Sequence, residues 1–280
     1  MMGKTIGLIA GNGQFPVLFA RKAQTAGMRV VAAGFRNETS KALEDAVSQM
    51  KWLHLGQVSR LLNYFRSEGV TEAVMVGGIR KTRMFTDVKP DLKALGLLRT
   101  LKTTHDDGIL KAFAVLLEKE GIRIQASTGI LPELLAPHGC WTRAYPNAAQ
   151  QSDISFGWEI AKTIGKLDIG QCIVVSGGSV LAVEAIEGTD AAIARGAGFS
   201  DGDAVVIKIC KPQQDRRFDI PAIGMETLKT MQQHGARVLV IEAGQAVVFD
   251  RAAMIDFADE QGIRIVALSP DGVLPDRQGQ

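Results

Sequence analysis

The fold prediction begins with Ile6-Gly7-Leu8-Ile9-Ala10-Gly11-Asn12-Gly13-Gln14-Phe15-Pro16, an apolar run that leads into a turn with two glycines. The run predicts a buried strand, and Pro16 suits the first turn of a following helix. In a Rossmann-like sheet this turn binds phosphate, so Gly11, Asn12 and Gly13 are candidate nucleotide-binding residues. A purely structural turn is the alternative. NAD binding is disfavoured, because Pro16 replaces the last glycine of G-x-G-x-x-G and no acid ends the second predicted strand.

Strands and helices alternate along the rest of the chain, which predicts parallel sheets covered by helices. We assign residues 1–133 to a Rossmann-like nucleotide-binding domain. Residues 134–147 contain Pro137, Gly139 and Pro146 and are predicted to be a linker. Residues 148–280 are predicted to form a second, mixed α/β domain. The predicted fold class is therefore α/β, with two domains.

Composition excludes several classes of protein. A chain of 280 residues favours two domains, and a net charge of +2 is too balanced to indicate nucleic-acid binding. No run of 18 apolar residues is present, and the short run before Gly11 predicts no signal peptide. The three cysteines, Cys140, Cys172 and Cys210, form no C-x-x-C pair, which fits a reducing cytoplasm.

A second informative segment runs from Ser176 to Ala197, after an apolar run that predicts a buried strand. Its acidic and hydroxyl residues lie within seven positions and surround a glycine: Glu184, Glu187, Gly188, Thr189 and Asp190. Such groups can hold Mg²⁺, sugar hydroxyls or a helix N-terminus. A strand, a turn and a helix capped by Thr189 or Asp190 is an equal alternative without further support.

Two other places offer candidate binding residues. Gly77 and Gly78 follow the fourth predicted strand, at the carboxyl edge where open α/β sheets bind ligands. A loop that merely turns is the alternative there. Asp106 and Asp107 open a predicted helix, where Asp is a common capping residue, although either could reach a ribose or a metal.

A carboxylate and two lysines are candidates in the second half of the chain. Asp219 lies in Arg217-Phe218-Asp219-Ile220-Pro221, where Pro221 stiffens the loop, and it could hold a cation or orient a water. The alternative is an Asp that hydrogen-bonds its own turn. Lys208 and Lys211 end the preceding predicted strand and could neutralise a phosphate or simply be exposed.

The glycine turn, the segment from Glu184 to Asp190 and the loop around Asp219 together resemble the UDP-2,3-diacylglucosamine pyrophosphatases of the LpxI type. The resemblance covers the whole chain in order, and the segment from Glu184 to Asp190 is its most specific part. Relatives usually have a third glycine at the position of Asn12 and Leu at that of Phe15. Asn tolerates positive φ better than most residues, so the turn can persist.

The resemblance implies hydrolysis of the pyrophosphate of UDP-2,3-diacylglucosamine to UMP and 2,3-diacylglucosamine 1-phosphate, in lipid A biosynthesis. It implies that the second domain is catalytic and that the active site lies in the cleft between the domains. Asp219, Glu184 and Asp190 are the expected catalytic residues, with Asp219 as metal ligand. The expected cofactor is Mg²⁺, with Mn²⁺ as a substitute, since the four histidines form no H-x-H or H-x-x-x-H pair.

The expected partners follow from the implied substrate, which is a nucleotide glycolipid. We expect a cytoplasmic protein, peripherally associated with the inner membrane, that contacts the membrane transiently and binds no nucleic acid. The sequence allows a homodimer. Two alternative functions remain open at this stage: a non-catalytic protein that binds a nucleotide-sugar lipid, and a nucleotide-dependent oxidoreductase.

Overall fold

The structure is a computed structural model that describes residues 4–79, 88–100, 106–218 and 220–275. It divides into two compact units. The first comprises Met1–Pro132 with Asp215–Asp219, and the second comprises Glu133–Gln214 with Ile220–Gln280. Both units combine strands and helices, so the predicted fold class of two α/β domains is confirmed. The placement of the active site in a cleft between the domains stays a prediction.

The first unit is built on a parallel sheet. Its described strands are β1 (Thr5–Ala10), β2 (Arg29–Phe35), β3 (Gln49–Leu53), β4 (Glu72–Val76) and β5 (Arg123–Gln125). Its described α-helices are α1 (Phe15–Thr25), α2 (Val58–Ser67), α3 (Leu92–Thr100), α4 (Asp106–Lys119) and α5 (Ser127–Ile130), with a 3₁₀ helix at Lys41–Ala46. The strands lie in the order β3-β2-β1-β4-β5, and neighbouring strands are parallel. This order is Rossmann-like, as predicted, and its winding reverses between β1 and β4.

Burial explains why the apolar runs of this unit form strands. Ile6 and Leu8 of β1 and Val31 of β2 are fully buried, as expected for central strands with helices on both faces. Helix α1 begins at Phe15 with a proline in its first turn, as predicted, and buries Phe19. The sheet therefore places the carboxyl ends of β1 and β4 side by side.

A short piece from the second half of the sequence belongs to the first unit. We call this piece, Asp215–Asp219, the return segment. Phe218 packs, partly buried, against the core of the first unit, and Arg217 Nη1 donates to Glu118 Oε1 at 3.1 Å. Arg217 also donates to both carboxylate oxygens of Asp215, at 3.1 and 2.9 Å, and lies 4.9 Å from the centre of the Phe218 ring. These contacts fix the described part of the return segment on the first unit, although we had assigned it to the second domain.

The second unit contains a larger, mixed sheet. Its described strands are β6 (Gly139–Cys140), β7 (Cys172–Ser176), β8 (Ser179–Val183), β9 (Ala204–Lys208), β10 (Ala222–Ile223), β11 (Ala236–Glu242), β12 (Val247–Val248) and β13 (Arg264–Leu268). Its described α-helices are α6 (Ala148–Lys166), α7 (Thr189–Ala197), α8 (Met225–His234) and α9 (Arg251–Gln261), and a 3₁₀ helix covers Pro132–Leu134. The order is β6-β13-β11-β9-β7-β8, and β10 pairs separately with β12.

Apolar side chains cover both faces of the larger sheet. On one face, Ile193 of α7, Leu228 of α8 and Met254 of α9 belong to a single buried cluster. On the other face, Ile154 and Trp158 of α6 belong to a second cluster. The sheet is therefore covered by helices on both faces, and the strands β8, β9 and β11 end at the same edge of it.

The predicted linker, 134–147, is part of the second unit. Gly139 and Cys140 form β6, which pairs antiparallel with β13 at the edge of the sheet. Leu134 and Ala136 are buried, and the Ala136 N–H donates to Ala246 O at 2.9 Å. Of the residues that suggested a linker, Pro137 and Pro146 lie on either side of a short edge strand and Gly139 lies within it.

A hairpin between β7 and β8 was missing from the sequence prediction. Gly177 and Gly178 both adopt positive φ, 57° and 71°, as a two-residue hairpin turn requires. Both glycine N–H groups donate to the buried carboxylate of Asp153, at 3.0 and 2.7 Å. The hairpin brings the residues after β8 next to the start of β7.

Candidate active site

Helix α7 begins directly after a glycine that follows β8. The cap position is Gly188, with φ 88°, and no described side chain caps the helix. The alternative interpretation, in which Thr189 or Asp190 caps this helix, is therefore wrong. Instead, Thr189 Oγ1 donates to Glu184 Oε1 at 2.9 Å, and Asp190 Oδ1 accepts from Thr227 Oγ1 at 3.1 Å. Because Thr227 lies in the first turn of α8, the bond to Asp190 links the beginnings of α7 and α8, while the Thr189 bond ties the beginning of α7 to the residue after β8.

Three different side chains lie in one row across β8, β7 and β9. Cys172 pairs directly with Lys208, and the Glu184 N–H donates to Cys172 O at 2.8 Å. Residues paired across neighbouring strands point to the same face of the sheet, so all three side chains share a face. Burial, reinforced by the charge of Glu184, raises the pKa of the Cys172 thiol. Cys172 is therefore a neutral thiol and not a nucleophile.

The two ends of this row carry opposite charges. Glu184 is 7% exposed and Lys208 is 6% exposed. Lys208 Nζ donates to Ala222 O at 3.0 Å, while Glu184 Oε2 has no hydrogen-bond partner among the described residues. A buried polar atom left without a partner costs about 1–3 kcal/mol, which a ligand can offset. Glu184 Oε2, unpartnered among the residues described, is thus chemically suited to accept a hydrogen bond or to bind a cation, and Lys208 carries the charge that suits a phosphate.

Two of the predicted binding residues form local ion pairs. Glu187 lies 2.7 Å from Arg195, and its own backbone N–H and Arg195 hold the pKa of its carboxyl below the usual range. Lys211 Nζ lies 2.7 Å from Asp168 Oδ1. A ligand that used either charge would have to compete with these pairs.

The two glycine turns of the first unit contact each other. The Gly11 N–H donates to Val76 O at 2.8 Å, and the Asn12 N–H donates to Gly78 O at 2.7 Å. A Cβ on Gly11 would lie 2.3 Å from Gly78 O, and one on Gly77 would lie 2.4 Å from Asn12 O. Close backbone packing therefore explains why positions 11 and 77 are occupied by glycine, without any role in ligand binding. It also places both turns at the carboxyl edge, between β1 and β4.

Sequence reasoning missed one acidic residue beside these turns. Glu38 follows β2 by three residues, is 7% exposed, and its Oε2 accepts a hydrogen bond from Asn12 Nδ2 at 3.1 Å. We had looked for an acid only at the end of β2 itself. The available signal was the acid in the loop between β2 and the 3₁₀ helix at Lys41–Ala46.

Three predicted site residues cannot be placed by their side chains. Asp106 and Asp107 are the first two residues of α4, but their side chains lie outside the described part of the chain. Asp219 lies outside the described residues altogether, directly after Phe218 of the return segment. The roles of these three residues stay predictions.

The described side chains offer carboxylate oxygens to a metal ion but no preformed metal-binding cluster. Within the described ranges, no group of three or more His, Cys, Asp or Glu side chains could hold a metal ion. Mg²⁺ does not need such a group, since it commonly binds one or two carboxylates together with substrate phosphates and water. The buried Glu184 Oε2, without a described partner, is a hard oxygen donor of the required kind.

The described helices differ in length or hydropathy from those that span membranes. No helix in the described part of the chain is long and apolar enough to cross a bilayer. The predicted peripheral association with a membrane is not tested by this observation.

Known proteins match both halves of the chain. Residues 5–134 match the sequence model of the LpxI N-terminal domain, and residues 137–266 match that of the LpxI C-terminal domain. The chain is also 32% identical over 278 residues to UDP-2,3-diacylglucosamine pyrophosphatase LpxI from Caulobacter vibrioides, which covers 95% of this chain and 98% of that protein. The chain belongs to the LpxI family. The predicted resemblance to this family is thereby confirmed at the level of the family.

Among solved structures, N5-carboxyaminoimidazole synthetase from Staphylococcus aureus matches 65% of this chain and 42% of its own, with 17% identity and a TM-score of 0.27. The biotin carboxylase domain of a thermophilic 2-oxoglutarate carboxylase matches 63% of this chain and 35% of its own, with 16% identity and a TM-score of 0.27. TM-scores this low do not establish a common fold.

The LpxI domain boundaries differ from the spatial units in one respect. The match to the LpxI C-terminal domain spans 137–266 and thus includes the return segment. In space, the return segment belongs to the first unit, together with the LpxI N-terminal domain. Sequence domains and spatial units therefore disagree at Asp215–Asp219.

Proposed function

We propose that this protein hydrolyses the pyrophosphate bond of UDP-2,3-diacylglucosamine to UMP and 2,3-diacylglucosamine 1-phosphate, a step of lipid A biosynthesis. The observation that carries the proposal is the 32% identity over nearly the whole chain to a protein named for that pyrophosphatase activity. The buried Lys208 and the buried Glu184 on the same row of the sheet support it, because a lysine can stabilise charge on phosphate oxygens and a carboxylate can accept a hydrogen bond from a substrate hydroxyl or water.

The reaction adds one water across the P–O–P bridge. The water oxygen bonds to one phosphorus, the bond from that phosphorus to the bridging oxygen breaks, and the bridging oxygen leaves on the other phosphorus. One product is UMP and the other is the sugar 1-phosphate, with the protons of water released to the products and the solvent. The protein must therefore orient a water and stabilise charge that develops on phosphate oxygens.

Five of the candidate residues have roles within this scheme. Lys208 is buried at the carboxyl edge of its sheet and would stabilise charge on a phosphate oxygen. Glu184 would accept a hydrogen bond from a sugar hydroxyl or amide, and Asp190 and Thr189 hold the adjoining helix beginnings in place. Asp219 is the proposed metal ligand, and its carboxylate would also orient the attacking water.

We include Mg²⁺ as the proposed cofactor, with Mn²⁺ as a substitute. When bound, the ion supplies positive charge that offsets the charge of the pyrophosphate. A substrate with acyl chains also implies transient contact with the inner membrane. Co-sedimentation with vesicles of inner-membrane lipid composition, with and without substrate, measures that contact.

The decisive experiment incubates the purified protein with UDP-2,3-diacylglucosamine and Mg²⁺ and identifies the products by mass spectrometry. We expect UMP and the sugar 1-phosphate, loss of activity with EDTA, and recovery with Mg²⁺ or Mn²⁺. Asp219→Ala should lower turnover by about a hundredfold, the scale of removing a key electrostatic group. Asp256→Ala is the matched control, because Asp256 is exposed on α9 and should leave turnover unchanged.

Each arm of this experiment can contradict a different part of the proposal. Binding of substrate without product would favour a non-catalytic binding protein. Full activity after rigorous chelation would remove the metal from the mechanism. Near-normal turnover of Asp219→Ala would remove Asp219 but leave the assigned reaction intact.

A further inference from the structure

The first unit presents a crevice of a kind that commonly binds nucleotides. In the sheet order β3-β2-β1-β4-β5, the winding reverses between β1 and β4. Open α/β sheets bind ligands at the carboxyl edge of such a reversal. The turns after β1 and β4 meet there, through the hydrogen bonds of Gly11 to Val76 and of Asn12 to Gly78.

Glu38 is brought to this crevice by a closed loop after β2. Thr39 Oγ1 donates to Ala10 O at 2.6 Å and accepts from the Phe35 N–H at 2.8 Å, so the loop is tied to the ends of both β1 and β2. The Glu38 side chain is 7% exposed, and its Oε2 accepts from Asn12 Nδ2 at 3.1 Å. The carboxylate therefore has a fixed position beside the turn that follows β1.

Two glycines of the neighbouring turns, on either side of Asn12 in space, leave room for a ligand among the described residues. A Cβ on Gly13 would meet no described atom within 4 Å, and one on Gly78 would approach only the Asn12 side chain, at 3.4 Å. In nucleotide-binding sheets of this order, an acid that follows the second strand accepts hydrogen bonds from ribose hydroxyls. Glu38 has that position in the sheet, although it lies three residues beyond the end of β2.

We propose that Glu38 accepts hydrogen bonds from the ribose hydroxyls of the uridine nucleotide, with Asn12 holding the carboxylate in place. This inference rests on the proposed function for the identity of the nucleotide. It adds a residue that selects ribose over deoxyribose, at the first unit's carboxyl edge. A hydrogen bond to a charged acceptor changes affinity by roughly tenfold to a hundredfold.

The test compares binding of UMP and 2′-deoxy-UMP to the full-length protein by isothermal titration calorimetry. The wild type should bind UMP at least about tenfold more tightly than 2′-deoxy-UMP. Glu38→Gln keeps an acceptor for Asn12 but removes the charge. It should therefore weaken the binding of UMP and leave the affinity for 2′-deoxy-UMP nearly unchanged. Glu44→Gln, at an exposed glutamate bound to Trp52 in the same unit, is the matched control and should keep the wild-type ratio.

The ratio of the two affinities makes the result independent of partial misfolding, because a smaller folded fraction would lower binding of both nucleotides alike. Equal affinities in the wild type, an unchanged ratio in Glu38→Gln, or no binding of UMP at millimolar concentration would each overturn the inference. If the wild type hydrolyses the glycolipid but the ratio is unaffected, only this inference fails. If the ratio behaves as expected but no glycolipid is cleaved, the proposed function fails and the ribose site stands.

Discussion

Replacement of Phe218 by alanine should destabilise the first unit, because this ring completes a core formed by residues far earlier in the chain. Phe218 packs partly buried against that core, and Arg217 lies 4.9 Å from its ring centre. A phenylalanine buries about 150–250 Å², so half of that area at about 25 cal/mol per Å² gives about 2–3 kcal/mol. The lost cation–π contact adds about 0.5 kcal/mol.

The tryptophans allow each unit to be observed separately. Of the three, Trp52 lies in the first unit, and Trp141 and Trp158 lie in the second. Urea unfolding of a Trp141→Phe, Trp158→Phe protein, followed by fluorescence, therefore reports on the first unit. Phe218→Ala should lower the free energy of unfolding of the first unit by about 3 kcal/mol without changing the m-value.

The control for this prediction is Phe199→Ala, since Phe199 is 73% exposed and should change stability by less than about 0.5 kcal/mol. A Trp52 transition that stays unchanged in Phe218→Ala would refute the reasoning. The same conclusion would follow if, in a Trp52→Phe protein, Trp141 and Trp158 showed that only the second unit had lost stability.

Two further predictions concern the turn after β1 and the acid stability of the return segment. Gly11→Ala should lower the free energy of unfolding by about 1–3 kcal/mol through overpacking, because its Cβ would lie 2.3 Å from Gly78 O. Gly13→Ala should lower it by about 1–2 kcal/mol through its positive φ alone and leave the contact between the turns intact. Hydrogen exchange of the Asn12 N–H distinguishes the two variants, because faster exchange is expected only in Gly11→Ala. Equal exchange rates in both variants would contradict the inferred close packing of Gly11 against Gly78. Hydrogen bonds from Arg217 hold the pKa of Asp215 below its usual range. The stabilisation is therefore present above about pH 4 and is lost as pH falls through the folded-state pKa. Asp215→Asn should make the stability of the first unit fall less steeply with acid, as measured by acid titrations followed by Trp52 fluorescence. An unchanged titration would contradict a stabilising role for the Asp215 carboxylate.

Local patterns were sufficient to predict much of the first unit. The strand and helix on either side of Gly11 and Gly13 follow from an apolar run, a glycine turn and a proline, all within a few residues. The hairpin after β7 was also encoded locally, by Gly177 and Gly178 between two apolar runs, but we had not predicted a strand at Ser179–Val183. That strand is what places Glu184 beside Cys172.

Other features depend on contacts between distant residues and could not be predicted from local patterns. The row of Glu184, Cys172 and Lys208 depends on the register of three strands. Glu38 becomes a candidate only because its loop closes onto Asn12. The segment 134–147 looked like a linker, because proline and glycine mark both linkers and the ends of short edge strands.

The return segment has a consequence for the order in which the protein is made. Translation releases the N-terminal part of the chain first, and domains usually fold as they emerge. Here the first unit lacks Phe218 and the ion pair of Arg217 with Glu118 until the ribosome has passed most of the second unit. The nascent N-terminal part therefore has an incomplete core until that point of synthesis. A gene divided near residue 133 would encode a first half that lacks a segment of its own core.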